Sequence, residues 1–256
     1  MRLGLIADVH ANIAALDVAL GAIEKEGVDQ LLCAGDLVGY GPFPNECVAR
    51  LRAAGATCVA GNHDLMAIER LRDAAPGTLP NLTMTWTRSV LDEETRAYLA
   101  ELPPTVEIGG LVMAHGSLDD PTVYVQREQA GTALRRLGET RPGDSILVLG
   151  HTHRPLAHSE RRGTLLDGRR GRVAIEGRDR LLVNPGSVGQ PREWRPLVRF
   201  AVIDLDRGTV HYRASRYDHR SVRRALAERG LPPDACHRRP PLGTALRRAL
   251  RSHRPG

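Results

Sequence analysis

Residues 4–16 read GLIADVHANIAAL, an apolar run that stops at Asp8 and His10 and then continues as a helical pattern. The apolar residues predict a buried strand, and residues 11–27, which end in a glycine, have the spacing of an amphipathic helix. A carboxylate and an imidazole two residues apart at the end of a buried strand are costly unless they find partners. The rest of the chain has to supply those partners.

The alternation of strand and helix continues along the next part of the chain. Residues 28–36 and 56–64 predict a second and a third strand, with a helix at 45–55 between them. This β-α-β-α-β order favours a mainly parallel sheet with right-handed crossovers. Residues 65–102 then predict three helices separated by prolines and a glycine.

Beyond residue 103 the pattern becomes rich in strands. Four apolar stretches predict strands, at 105–116, 145–153, 181–189 and 196–214. The first and the last of them predict hairpins, which turn at Gly109-Gly110 and around the sequence DRGT. Residues 159–180 have no core face and predict an exposed hairpin or loop, whereas 220–230 predict a late helix.

The composition predicts one large domain followed by a basic tail. Hydrophobic residues make up 41% of the 256, and only two Phe and two Trp occur, so the core must be aliphatic. We assign residues 1–230 to the domain and 231–256 to a tail rich in proline and arginine. From residue 207 onward, the sequence contains thirteen arginines and only three acidic residues. This excess of positive charge favours binding of nucleic acid or of an acidic partner. Alternatively, it reflects a general preference for arginine over lysine in this chain, since Lys25 is the only lysine.

The cysteines and the hydropathy pattern predict a cytoplasmic protein without membrane association. The four cysteines form no C-x-x-C pair, and two of them lie inside apolar runs, so we interpret them as small buried residues. No signal-peptide pattern precedes the first strand, and no 18 apolar residues run together.

Polar groups follow the predicted strands at the points where they end. They comprise three Asp, one Asn and five His, namely Asp8, His10, Asp36, Asn62, His63, Asp64, His115, His151 and His153. The carboxyl ends of strands in an open α/β sheet meet in one crevice, so these groups should converge. Imidazole, carboxylate and amide oxygen suit Mn, Fe, Co, Ni or Zn, and the absence of cysteine argues against a structural zinc cage. The number of groups suits two ions better than one, while the five remaining histidines are interpreted as structural.

These fragments resemble the calcineurin-like metallophosphoesterase superfamily. The motifs are DVH at 8–10, GD at 35–36, GNHD at 61–64, AHG at 114–116 and GHTH at 150–153. The resemblance covers about residues 1–215. Three further stretches, 35–46, 84–91 and 181–192, are similar to the small prokaryotic branch of phosphodiesterase type.

The resemblance implies a four-layer α/β/β/α sandwich with two mixed sheets and two divalent ions, of which Mn is the first choice. One ion would be held by Asp8, His10, Asp36 and His153. The second would be held by Asp36, Asn62, His115 and His151, with Asp36 shared. His63 would bind no metal but would contact a phosphate oxygen or protonate the leaving group, with Asp64 orienting its ring.

The chain departs from the family pattern at one position that matters for the substrate. Protein phosphatases and symmetrical dinucleoside tetraphosphate hydrolases of the superfamily carry G-D-x-V-D-R-G, whose arginine grips the phosphate. This chain has Gly39 and Tyr40 in place of that aspartate and arginine. The departure favours a diester or another small substrate, with Arg192 as the substitute guanidinium. Asn12, Tyr40 and Arg192 are therefore the candidate substrate contacts.

The expected activity is hydrolysis of a phosphodiester or a small nucleotide-type substrate, by in-line attack of a hydroxide between the two ions. Alternatives are a phosphomonoesterase or protein phosphatase, and a nucleic-acid-directed enzyme that uses the basic tail. A further alternative is a non-catalytic metal-binding scaffold such as the retromer subunit of this fold, against which the presence of His63 argues. The sequence leaves a homo-oligomer open.

Overall fold

Two six-stranded sheets and seven helices make up the computed structural model, which describes residues 1–177 and 179–240. The first sheet contains β1 (Arg2–Ile6), β2 (Gln30–Cys33), β3 (Thr57–Cys58), β9 (Gly171–Ala174), β11 (Leu197–Asp204) and β12 (Thr209–Arg216). The second contains β4 (Val106–Ile108), β5 (Leu111–Met113), β6 (Ile146–Val148), β7 (Leu156–Ser159), β8 (Gly163–Asp167) and β10 (Leu181–Asn184). The helices are α1 (Ile13–Glu26), α2 (Pro44–Ala53), α3 (Asn62–Ala67), α4 (Leu79–Val90), α5 (Glu93–Glu101), α6 (Ala130–Thr140) and α7 (His219–Glu228).

Each sheet contains three neighbouring parallel strands. The first sheet has the order β3-β2-β1-β11-β12-β9, in which β1, β2 and β3 are parallel and the other pairings are antiparallel. The second has the order β4-β5-β6-β10-β7-β8, in which β5, β6 and β10 are parallel. Both sheets are therefore mixed, as predicted.

The strands alternate their side chains between an inner and an outer core. Leu3 and Leu5 of β1 belong to the same apolar cluster as Met113 and Val148 of the second sheet, so this cluster lies between the sheets. Ile6 instead packs in the cluster formed with the helices on the outer face of the first sheet. On the other side α6 covers the second sheet with a separate cluster. The predicted four-layer sandwich is confirmed.

Several element boundaries differ from the sequence predictions. The third strand is only Thr57–Cys58, and Asn62 already begins α3, because Gly61 is the N-cap of that helix. The helix expected to run on from residue 65 ends at Ala67, and Glu69 has a left-handed backbone with φ 61°. Helix α6 was not predicted at all.

Residues 159–180, expected as an exposed hairpin or loop, contribute strands to both sheets. β8 pairs with β7 at one edge of the second sheet, and β9 pairs with β12 at one edge of the first. Each strand has one buried apolar side chain in the core between the sheets, Leu166 or Val173, and Leu165 of β8 packs against that core partly buried. A single buried residue amid arginines and glycines leaves little alternation to detect in the sequence.

Part of the predicted tail packs on the domain. Leu231, Ala235 and Cys236 are buried in a cluster with Tyr40 and the apolar face of α7. Residues 231–240 are thus held against the body, which differs from the loosely attached tail that we expected, whereas 241–256 lie outside the described residues. In the described residues no helix is both long and apolar enough to cross a bilayer.

Candidate metal centre and active site

The candidate site lies where the parallel strands of both sheets end. Asp8 follows β1, Asp36 follows β2 and Asn62 follows β3, all in the first sheet. His115 follows β5, and His151 and His153 follow β6, in the second sheet. The convergence that we predicted from strand ends therefore occurs, with both sheets contributing.

Backbone hydrogen bonds continue the pairing of β1 and β2 into their loops. The amide of Asp8 donates to the carbonyl of Gly35 at 3.0 Å, and the amide of His10 donates to the carbonyl of Asp36 at 2.9 Å. The hydroxyl of Ser187, in the loop after β10, donates to the carbonyl of Asp8 at 2.9 Å. The position of Asp8 is thus fixed from two sides.

The backbone at the site is strained. Among the described residues, eight non-glycine residues have positive φ, and only Glu69 lies away from the site. The other seven are Asp8, His10, Ala11, Asp36, Tyr40, His151 and His153, with φ between 47° and 63°. Each such residue costs about 1–2 kcal/mol relative to a right-handed conformation. Strain of this kind persists where a functional geometry requires it, which marks these loops as a functional site.

The first cluster consists of Asp8, His10, Asp36 and His153, whose ligand atoms lie within 4.8 Å of one another. Nδ1 of His10 faces the carbonyl of Val38 at 3.1 Å, and Nδ1 of His153 faces that of Gln190 at 2.7 Å. A carbonyl only accepts, so both Nδ1 atoms carry the proton and both Nε2 atoms carry a lone pair. These Nε2 atoms lie 3.1 Å apart. Two lone pairs at that distance repel, and a cation between them removes the repulsion.

The second cluster consists of Asp36, His115 and His151, with Asn62 beside it. Nδ1 of His115 donates to the carbonyl of Ala34 at 2.7 Å, which directs Nε2 toward Asn62 Oδ1 at 3.0 Å and Asp36 Oδ2 at 3.3 Å. Nε2 of His151 lies 3.0 Å from the carbonyl of Thr122, so its Nδ1 is the ligand atom.

The two clusters share Asp36, and their carboxylates have unused oxygens. Oδ2 of Asp8 and Oδ2 of Asp36 are buried without a hydrogen-bond partner among the described residues. Buried carboxylate oxygens of this kind need a cation or a donor. Together with the imidazole nitrogens they fit two divalent metal ions, one in each cluster, with Asp36 common to both. The predicted division of the ligands is the one that the geometry supports.

The pKa values of the cluster show what its own charges do to one another. Burial raises the pKa of Asp8 to about 7, against the opposing charge of His115. Burial acts in the same sense on Asp36, but His115, His63 and His10 outweigh it and hold the pKa of Asp36 well below its usual value. Burial disfavours the charged form of His115, but Asp36 raises the pKa of His115 to about 9. The positive charge of the neighbouring histidines therefore lowers the pKa of Asp36 but does not suffice to lower that of Asp8.

We expect Asp8→Asn to stabilise the metal-free protein. Because the pKa of Asp8 is raised above that of an unfolded aspartate, the folded state is penalised as pH rises from about 4 to about 7, and the penalty is complete above pH 7. Removing the charge removes a penalty on the order of 1 kcal/mol or more at pH 8 and none at pH 3. Urea unfolding in the presence of a chelator measures it. An Asp8→Asn midpoint below that of the parent at pH 8 would contradict this expectation.

His63 lies beside the clusters and belongs to neither. Its ring is 4.8 Å from that of His10 and 4.6 Å from that of Tyr40, and its backbone amide donates to Oδ1 of Asp36 at 2.8 Å. Burial lowers its pKa. Nδ1 of His63 is buried without a hydrogen-bond partner among the described residues. This placement agrees with a residue that contacts substrate and binds no metal.

Asp64 does not have the orienting contact that the resemblance implied. Its Oδ1 accepts from the amides of Leu37 at 2.8 Å and Val38 at 3.2 Å, and its Oδ2 accepts from the amide of Gly61 at 2.9 Å. No hydrogen bond joins Asp64 to the ring of His63 among the described residues, so the structure gives no support to the prediction that Asp64 orients that ring. Asp64 instead ties the loop after β2 to the start of α3.

The three candidate substrate contacts have different surroundings. Asn12 is fully buried and is used by the protein itself: its Oδ1 caps α1 at Ala15, and its Nδ2 donates to the carbonyl of Gly189 at 2.9 Å. These contacts assign Asn12 a structural role, and they argue against a direct contact with substrate. Tyr40 and Arg192 both line an open cavity of about 800 Å³ next to the clusters. They remain candidates.

Some residues around the site gave no signal in the sequence. Tyr124 lies with its ring 3.9 Å from that of His151, and 44% of it is exposed. Thr122 and Gln190 orient metal-site histidines through backbone carbonyls, which any residue type supplies. Contacts of this kind depend on the path of the backbone in the folded loops and cannot be predicted from the residue types.

The comparison with known families agrees with the geometry. The sequence model of the calcineurin-like phosphoesterase superfamily domain matches residues 1–208. The chain belongs to this superfamily. As a calcineurin-like phosphoesterase, it has the two histidine- and aspartate-containing clusters that indicate divalent-metal binding. The family prediction is confirmed.

Two solved structures and one curated sequence resemble this phosphoesterase over nearly its whole length. A metallophosphoesterase from Sphaerobacter thermophilus is 30% identical, covers 92% of this chain and 96% of its own, and superposes with a TM-score of 0.77. The hypothetical protein PH1004 from Pyrococcus horikoshii is 20% identical at a TM-score of 0.74, with coverages of 92% and 96%, and is similar in fold. The uncharacterized protein MJ0912 of Methanocaldococcus jannaschii is 29% identical over 236 residues, which are 90% of this chain and 93% of that protein.

Proposed function

We propose that this protein hydrolyses a phosphodiester or a small nucleotide-type substrate, with Mn²⁺ as the first choice of metal. The observation that carries the proposal is the pair of clusters sharing Asp36, with His63 beside them and an open cavity adjoining them. When bound, two divalent ions supply Lewis-acid activation of water and of the phosphate. The protein must supply the remaining contacts.

His63 and Arg192 are the groups that we assign to the phosphate. A histidine next to the clusters donates a hydrogen bond to a non-bridging oxygen or a proton to the leaving oxygen. Arg192 places its charge close enough to oppose protonation of His10, His63, His151 and His153. A guanidinium in that position stabilises charge that develops on the phosphate oxygens.

The residues at 39 and 40 support a substrate other than a phosphoprotein. A Cβ at Gly39 would lie 2.4 Å from Nδ1 of His63, so a larger residue there would displace the ring from its present position. The ring of Tyr40 packs 4.7 Å from His10 and 4.6 Å from His63, where it fixes both imidazoles and offers no positive charge. The positive charge comes instead from Arg192, on the loop after β10.

We expect the protein to prefer bis(p-nitrophenyl) phosphate over p-nitrophenyl phosphate by at least about tenfold in kcat/KM. The two compounds release the same chromophore, so their turnover is compared directly, with Mn²⁺, Fe²⁺, Co²⁺, Ni²⁺ and Zn²⁺ in turn. A preference for the monoester with every metal would overturn the diesterase proposal. Turnover of neither compound with any metal would contradict the assignment as a phosphate-ester hydrolase of small substrates.

A further inference from the structure

The open cavity beside the metal clusters has a strongly positive wall. It adjoins Thr152, the residue between the two histidines His151 and His153. Its volume of about 800 Å³ is within the range of small-molecule sites and far exceeds what one phosphate needs. Five arginines line it, namely Arg127, Arg154, Arg192, Arg238 and Arg239, whereas only two carboxylates do.

Three of these arginines have no neutralising partner in the part of the chain that the structure describes. Arg127 pairs with Glu128 at 2.9 Å, and Arg154 pairs with Asp167, so both carboxylates of the wall are used. Arg192, Arg238 and Arg239 form no ion pair with a described residue. Nε of Arg192 is buried and has no hydrogen-bond partner among the described residues. A buried guanidinium nitrogen without an acceptor favours an anionic ligand beside Arg192, whereas Arg238 and Arg239 are exposed and free to receive a ligand from solvent.

The segment that carries Arg238 and Arg239 is fastened to the loop that carries Arg192. Nε2 of His237 donates to the carbonyl of Glu193 at 2.8 Å, and the amide of Arg238 lies 3.3 Å from the carbonyl of Pro191. The side-chain amide of Gln190 donates to the carbonyl of Ala235 at 2.7 Å. The backbone carbonyl of the same Gln190 receives the Nδ1 proton of His153. The C-terminal arginines are thus positioned on the framework that positions a metal-site histidine.

Tyr124 lies between the second cluster and Arg192 of the arginine wall. Its ring centroid is 3.9 Å from that of His151, and the guanidinium carbon of Arg192 lies 5.8 Å from the ring. Tyr40 lines the same cavity as Arg238 and Arg239. A ligand in the cavity would therefore contact the unpaired arginines as well as Tyr40 and Tyr124, whose rings pack against His10 and His151.

We propose that Arg238 and Arg239 bind a second phosphate of the substrate, beyond the phosphate assigned to Arg192, so that the substrate is a small molecule with at least two phosphate groups. The inference rests on the proposed function and deepens it by naming the substrate class. Guanidinium groups bind phosphate oxygens in pairs of charge-assisted hydrogen bonds, which suits this wall. Arg238 and Arg239 lie beyond residues 1–208, so the family match itself does not supply this part of the site.

The test is calorimetric binding to the metal-loaded protein, with excess Mn²⁺ and two probes that share one nucleoside. Adenosine 5′-(α,β-methylene)diphosphate, which is not hydrolysed between its phosphorus atoms, presents two phosphate groups, and adenosine 5′-monophosphate presents one. We expect the first to bind at least about tenfold more tightly. In Arg238→Gln/Arg239→Gln this preference should fall about tenfold or more, because charge-assisted hydrogen bonds to the second group are lost.

The matched control is Arg220→Gln/Arg224→Gln, which removes the same two charges from exposed positions of α7 outside the cavity. It should leave the preference between the two probes unchanged. An equal loss of preference in the control, or an equal weakening of both probes in Arg238→Gln/Arg239→Gln, would overturn the inference. Because the readout is binding, a protein that hydrolyses no ester but shows the preference would refute the proposed function and keep the anion site. Turnover without the preference would refute only the anion site.

Discussion

His63→Ala is expected to lower kcat by about 10²–10⁴-fold while the protein still binds metal in both clusters. The ring belongs to neither cluster, yet it lies 4.8 Å from His10, so it can act on a phosphate held there without ligating an ion. Metal content by elemental analysis and turnover of bis(p-nitrophenyl) phosphate are measured on the same preparation. The two readouts separate the loss of a catalytic group from the loss of a ligand.

His158→Ala is a suitable control for this variant. His158 lies on β7, where its ring contacts the hydroxyl of Thr164 at 3.1 Å, and it is part of neither cluster. Its replacement should change neither metal content nor kcat. Loss of metal from His63→Ala would refute the non-ligand role of His63. Full kcat in His63→Ala would refute its role in the reaction.

Asp36→Asn should abolish turnover and reduce the metal content of both clusters. Oδ2 of Asp36 lies 3.5 Å from Nε2 of His10 and 3.3 Å from Nε2 of His115, which places it between the two clusters. The asparagine retains an oxygen for the amide of His63, so the local fold should survive. We expect a loss of metal affinity greater than the ~100-fold that follows removal of an outer hydrogen-bond partner.

Titration with Mn²⁺ in a calorimeter measures this loss, and Asp17→Asn serves as its control. Asp17 is an exposed carboxylate that pairs with Arg50 on the surface. Its removal changes the net charge by the same amount without touching the clusters. Two binding sites of parental affinity in Asp36→Asn would show that the clusters do not share this carboxylate.

The sequence predicted which residues come together in the two clusters, because they follow a simple rule of the fold. Apolar strands that stop at Asp8, Asp36 and His115 are visible as patterns, and parallel strands bring their ends together. The division of the ligands between two ions came from the family resemblance and agrees with the geometry.

The supporting contacts were beyond sequence reasoning for physical reasons. Asp64 was expected to orient His63, but its oxygens accept hydrogen bonds from three backbone amides instead. These contacts depend on how two loops pack. Asn12 was expected near substrate, but it caps α1 and bonds to Gly189, which is far away along the chain. β9 was missed because only Val173 of its four residues is buried.

The ligands come from both sheets, and this has a consequence for metal selectivity. Asp8, His10 and Asp36 follow strands of the first sheet, whereas His115, His151 and His153 follow strands of the second. The spacing of the sheets is set by inner-core side chains such as Leu5 and Val148, since interiors are close-packed and transmit small displacements. Coordination geometry discriminates between first-row ions. A substitution that changes side-chain volume in that core should therefore change which metal ion the two clusters prefer, although no residue of the clusters is replaced.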